Sequence, residues 1–391
     1  MHCKNLSIVV CLLLGLAGCA SQPVAIAPPA DIWQDQAFQY QPALVTETRD
    51  SLFALDADIV QSLQADKGHG FSTKRRLDLL LARLYGPAGI RLAYTSGHTT
   101  AASQTWHDQR GDCLSLTILA YAASRVLGIN AHMQEVRVPF AVDRRDGVDF
   151  INGHVNVVVR EETEAVIDGR PFVTGVFIID FEPQAGSGRT GTWLTEDAIL
   201  ARFYNNRAAE YLVQQDDARA YAYFRAAIEK APGYAPAYAN LAQLYARQGI
   251  AGAAERLLRH ALALEGPSYA PLRGMQKLLA DQGRATEAKY YADLLVKRQE
   301  EDPYYWLGLG LVALDAQRHG AAISALERAA SFASGFKEIH YYLGLAYWRD
   351  GQREAARKQL ATLSAINRQD PGVATLSKKF SALAPAKSVV Y

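Results

Sequence analysis

Apolar side chains recur along this chain in several rhythms, and each rhythm predicts a different element. From Arg49 the rhythm is helical: Leu52, Leu55, Ile59 and Leu63 follow at three- and four-residue steps. Leu77, Leu80, Leu81 and Leu84 repeat the pattern until Pro87 and Gly89 stop it. Residues 114–127 are apolar on nearly every side, which predicts a buried central helix, and Gly128 suits the left-handed position that ends helices. The period then shortens to two, or gives way to continuous β-branched runs, over 131–138, 155–159 and 176–181, which predicts strands. One buried helix followed by a small antiparallel sheet is an α+β arrangement, assigned to residues 47–200.

Beyond Trp193 the pattern is wholly helical, and it repeats with a period of 34 in units that begin at 201, 235, 269, 303 and 337. Position 20 of each unit is Ala220, Ala254, Ala288, Ala322 and Ala356. Position 8 is Ala208, Ala242, Gln276, Gly310 and Gly344, and position 24 is Phe224, Leu258, Ala292, Leu326 and Leu360. Small residues at 8 and 20 let the two helices of a unit approach closely, and a bulky one at 24 fills the space behind them. This pattern resembles the tetratricopeptide repeat, whose period is also 34, with Tyr211, Tyr245 and Tyr347 at its aromatic site and Pro232 at its helix end. The third unit departs from the pattern at Gln276 and Ala292. Residues 201–371 are thus read as an array of about five repeats, with 372–391 as a capping helix and tail. In that family the first helix of each unit lines a concave groove. Here this places Tyr304, Leu307, Leu311 and Leu314, then Glu338, Tyr341, Leu345 and Trp348, against either an apolar segment of a partner protein or the C-terminal helix near Leu376.

The first residues form a leader. Lys4 precedes an apolar run from Leu6 to Leu16, too short to span a bilayer, and Leu16-Ala17-Gly18-Cys19 resembles the bacterial lipobox. That resemblance implies a signal peptide over 1–18 and lipidation of Cys19, with Ala20 directing the protein to the outer membrane, facing the periplasm. Residues 19–46, rich in Ala, Pro and Gln and without a period, are expected to be a tether. Of four cysteines, Cys3 and Cys11 leave with the leader and Cys19 carries lipid, so Cys113 remains alone. That count excludes disulfides and cysteine-cluster metal sites, and a lone thiol in an oxidising compartment calls for an explanation. Among 391 residues, 41 basic side chains against 40 acidic ones give a net charge of +1, so nothing electrostatic suggests nucleic acid as a partner.

Cys113 follows Gly111-Asp112 at the start of the buried helix, where unpaired N–H groups favour a thiolate. His154, in Gly153-His154-Val155-Asn156-Val157, opens a strand, and Asp180 ends the apolar run Ile178-Ile179-Asp180-Phe181. An Asp in such a run is costly unless paired, for example with an imidazole. Arg110-Gly111-Asp112-Cys113-Leu114-Ser115-Leu116 and Gly153-His154-Val155 resemble the transglutaminase-like superfamily, in members fused to tetratricopeptide repeats. The resemblance implies that Cys113 attacks an amide carbonyl, His154 shuttles the proton and Asp180 orients His154, with no cofactor and no metal. Asp168, in the turn Ile167-Asp168-Gly169, competes with Asp180 for the third role. The triad requires the sulfur of Cys113 within hydrogen-bond reach of His154, on the same face of the sheet, and a carboxylate on the other ring nitrogen.

Two functions of different class are therefore expected. One is a cysteine-dependent peptidase, amidase or transamidase that recruits its protein or peptide substrate through the repeats. The other is a non-catalytic envelope adaptor in which the α+β unit is a scaffold. Location alone suggests a third, a peptidoglycan-linked amidase.

Overall fold

One helix organises the N-terminal half. The computed structural model describes residues 28–29, 31–65, 71–136, 142–145, 148–151, 153–167, 170–181, 191–266, 268–366 and 371–382; the leader, Cys19 and Asp168 lie outside the described residues. Helices α1 (Arg49–Phe53), α2 (Ala57–Gln64) and α3 (Thr73–Tyr85) come first, then β1 (Ala93–Tyr94), α4 (Ala102–Asp108), β2 (Arg110–Gly111) and the central α5 (Cys113–Val126). Strands β3 (Ala131–Val136), β4 (Val142–Arg145), β5 (Val148–Ile151), β6 (His154–Ile167), β7 (Arg170–Ile179) and β8 (Thr192–Leu194) follow. The principal sheet has the order β7-β6-β3-β8, all antiparallel, while β4 and β5 pair with each other.

The apolar girth of α5 has a structural cause: the helix belongs to two cores. Leu119, Ala120 and Ala123 pack with α2, α3 and the sheet residues Val157, Val159 and Ile179. Leu114, Ile118 and Ala122 join a second cluster that continues into the helical half through Leu200 and Phe203. Asp112 caps the start of α5, and Gly128, at φ 66°, follows its end as the sequence indicates.

The helical half consists of paired helices: α6 (Glu196–Val213) with α7 (Asp217–Lys230), α8 (Ala235–Arg247) with α9 (Ala251–Glu265), α10 (Tyr269–Asp281) with α11 (Ala285–Glu300), α12 (Pro303–Asp315) with α13 (His319–Phe332), and α14 (Lys337–Arg349) with α15 (Arg353–Ile366). Helix α16 (Pro371–Ala382) follows. All five position-20 alanines are buried, as close helix approach demands. At Gly310 a β-carbon would stand 2.5 Å from Cγ of Leu326, so the small residue at position 8 is a steric requirement there. The apolar core is not continuous along the array. One cluster runs from the N-terminal half to Ala288, and a second begins at Leu307 and ends at Phe380. The break falls in the third unit, where Ala292 stands in place of the bulky side chain that would bridge to the next.

One of the two expected fates of the groove positions is favoured here, and one expectation is corrected. Leu307, Leu314, Leu345 and Trp348 are buried, Leu311, Glu338 and Tyr341 are half-buried, and the largely buried Tyr304 borders a cleft described below. Trp348 stacks on Phe380 at 4.4 Å and Leu376 is fully buried, so α16 covers α14 as a cap. Residues 31–46 are not a free tether. Phe38 stacks between Tyr221 and Tyr245 (4.7 and 5.5 Å), Ile32 is fully buried, and the Tyr245 hydroxyl donates to the Ile32 carbonyl at 2.6 Å. Tyr221 donates to Asp35, and Arg225 pairs with Asp35 while lying over the rings of Trp33 and Tyr40. The segment is a strap bound to α7 and α8. Among the described residues no helix is long and apolar enough to cross a membrane.

Candidate functional site

Asp112 fixes the first turn of α5. Its Oδ1 accepts from the Ser115 amide (2.8 Å) and hydroxyl (2.7 Å), and its Oδ2 accepts from the Thr99 hydroxyl (2.5 Å) and from Asn206 of α6 (3.4 Å). The Thr99 amide in turn donates to Glu210 of α6 (2.9 Å). Burial raises the Glu210 carboxyl above its ordinary value, against the opposing pull of Arg207. The turn that carries Cys113 is thus tied by hydrogen bonds to the first helix of the array. Cys113, the first residue of α5, is 9% exposed.

His154 opens β6 and is 4% exposed. Its Nε2 lies 2.9 Å from both carboxylate oxygens of Asp180, which stands just beyond the end of β7. Asn156, paired across the sheet with Gln134, donates to Asp180 Oδ2 at 3.0 Å and accepts from Gln134 at 2.9 Å. Gln134 and Asn156, fully buried polar residues at alternate strand positions, hold the His154–Asp180 pair and were not identified from the sequence. Their signal was available: polar side chains facing each other on strands otherwise apolar must find partners within the protein.

The structure brings His154 and Asp180 together and sets Cys113 at the same end of the sheet. The alternation of β6 turns Val155 and Val157 toward the cores that contain α5, and His154 and Asn156 away from it. The Thr117 hydroxyl, one turn beyond Cys113, donates to the Val155 carbonyl at 3.1 Å and fixes helix against strand at this point. His98 and His107 make separate hydrogen bonds with Asp108 (2.9 Å) and Asp56 (3.0 Å).

Two cavities meet here. A chamber of about 20 Å³ contains Cys113, and its walls include Glu135, Gly153, Arg202 and Tyr234. The same four residues border a cleft of about 620 Å³ that also contains His154. The cleft runs along the N-terminal ends of α8, α10 and α12, past Asn240, Tyr269, Arg298 and Tyr305. Arg202 holds Glu135 through two hydrogen bonds (2.7 and 3.1 Å) and lies over the Tyr234 ring at 4.5 Å. Burial alone would lower the Arg202 guanidinium, but Tyr234, Glu135 and Glu265 hold it above its ordinary value. Burial also pushes the Tyr234 phenol up.

Residues 313–379 match the family model of the tetratricopeptide repeat. That stretch, α13 to α16 with the end of α12, carries tetratricopeptide repeats, and the helix pairs before it follow the same 34-residue spacing. Similar solved structures include YrrB, a tetratricopeptide protein with an unusual peptide-binding site, at 20% identity over 46% of this chain and 92% of that one (TM-score 0.24). Pseudomonas aeruginosa pilF matches at 18% identity over 49% of this chain and 95% of that one (TM-score 0.26). MamA from Desulfovibrio magneticus RS-1 matches at 16% over 44% and 97% (TM-score 0.24). No curated protein matches the chain in sequence.

Proposed function

We propose that the protein is an adaptor that binds a segment of a partner protein in the cleft between the sheet end and the first four repeats. The cleft itself carries the proposal. Its size suits a short peptide stretch, and it combines tyrosine rings with a few convergent polar groups, Asn240 and Arg298 among them. Peptides selected against the full chain are expected to lose about tenfold in affinity, near 1.4 kcal/mol, on Asn240→Arg or Tyr305→Ala. Binders indifferent to both changes place recognition outside the cleft.

A second function has its own support in the Asp180 carboxylate held on Nε2 of His154, beside a cysteine at a helix N-terminus. With Nε2 taken, Nδ1 is the nitrogen that would receive the thiol proton. Attack by Cys113 on an amide carbonyl would form a thioester and pass that proton to the departing amine. Water or a second amine would then release the acyl group and restore the thiol. In this proposal the α+β unit is a transglutaminase-like domain, and the cleft delivers the substrate segment to it.

The envelope location is part of the same proposal and rests on the lipobox. Cys19→Ala should yield a protein that keeps its leader or leaves the outer-membrane fraction; unchanged mass and fractionation would remove the anchor from the account.

A further inference from the structure

The chamber around Cys113 has room for about one water molecule. An acyl group with its flanking chain needs more room at the thiol than this narrow pocket gives. Catalysis at this thiol, on which the following rests, therefore requires the chamber to open into the cleft. The wall between the two is made by Glu135 from β3, Arg202 from α6, and Tyr234 from the connection between α7 and α8, around Gly153. A β-carbon at residue 153, just before β6, would stand 2.5 Å from Glu135 Oε1, so a side chain there would crowd Glu135 in the wall.

We propose that Glu135, Arg202 and Tyr234 form a gate which shuts Cys113 off from the cleft, and that a peptide segment entering the cleft opens it. Two of the three residues belong to the array, so occupancy of the repeats controls access to the thiol. The gate holds shut by specific contacts and opens by exchange of them. The Glu135–Arg202 pair is held at two points and keeps 31% of the Glu135 and 12% of the Arg202 side-chain surface exposed, so it stays closed until another group offers either partner a replacement. Opening needs only side-chain rotation, because Arg202 reaches the wall from α6 by its flexible stem and Tyr234 sits in a connection between helices. A ligand group that offers Arg202 or Glu135 a new partner, or displaces the Tyr234 ring, removes the wall.

The test is the rate of iodoacetamide alkylation of Cys113 in the full chain, measured above the titration range of the thiol and assigned by peptide mass mapping. Tyr234→Ala is expected to raise the rate about tenfold or more, Glu135→Gln severalfold, and Tyr234→Phe, which keeps the ring, not at all. Glu135→Gln is isosteric and decides the matter if the alanine variant does not fold. Wild-type rates in both Tyr234→Ala and Glu135→Gln, at unchanged melting temperature, overturn the gate. This outcome is separable from failure of the catalytic proposal, because the gate changes the limiting rate and leaves the pH midpoint of alkylation in place. The catalytic proposal concerns that midpoint alone.

Discussion

Alkylation of Cys113 is expected to titrate with a midpoint below the value of about 8.5 for a free thiol, and His154→Ala is expected to raise that midpoint by a unit or more. Two groups can stabilise the thiolate, and their magnitudes differ. The N-terminus of α5 offers about 0.3–1 kcal/mol, less than one pH unit at 1.36 kcal/mol per unit. An imidazolium held in place by Asp180 can shift a cysteine by several units, as in cysteine enzymes that use a thiolate–imidazolium pair. If the helix acts alone, His154→Ala leaves the midpoint where it was. If the pair acts, the midpoint rises on His154→Ala and rises less on Asp180→Asn, which keeps a hydrogen-bonding group on Nε2 but removes the charge that favours imidazolium. A wild-type midpoint at or above 8.5, unmoved by His154→Ala, would reduce His154 and Asp180 to a buried structural pair and leave the adaptor function by itself.

What the sequence made legible follows from which interactions are periodic. The array announces itself because every unit solves the same packing problem, so Ala220, Ala254, Ala288, Ala322 and Ala356 recur and all are buried. The buried helix was equally plain, but not its reason: α5 is apolar all round because it closes one core with the sheet and another with the array. The pairing of His154 with Asp180 could be anticipated because an unpartnered Asp is costly in an apolar strand. The residues that hold it, Gln134 and Asn156, could not be, since only the register of β3 against β6 brings them together. The positions of α12 and α14 expected in a groove were named in the right register. The burial of Leu345 and Trp348 in α14 depended on α16, whose Phe380 finds Trp348 across more than thirty residues of chain. Glu135, Arg202 and Tyr234 escaped notice because no spacing in the sequence relates a strand residue to two residues of the array.

The strap escaped for the same reason, and its removal is expected to be costly. Ile32, Trp33, Phe38 and Tyr40 are four large apolar side chains within nine residues, but they follow no period because residues 31–40 lie on α7 and α8 without forming a helix or strand. Phe38→Ala should destabilise this region by about 3–5 kcal/mol, the usual loss for a buried phenylalanine. Here the ring is 4% exposed and stacked on two tyrosines, so the surroundings cannot readily collapse into the space. Neighbouring units of a repeat array unfold partly independently, so the loss should appear as faster amide exchange in α7 and α8, with α13 to α16 unchanged. Uniform acceleration along the whole array would instead show that the strap stabilises one cooperative unit. Acid should act in the same direction. Burial alone would raise the Asp35 carboxyl, but hydrogen bonds from Arg225 and Tyr221 and the Arg225 charge hold it below its ordinary value of 3.8. Its contribution is therefore complete above that value and is lost as the pH falls through the lowered one. Exchange in α7 and α8 should quicken selectively below about pH 4, and Asp35→Asn should abolish the selective part of that response.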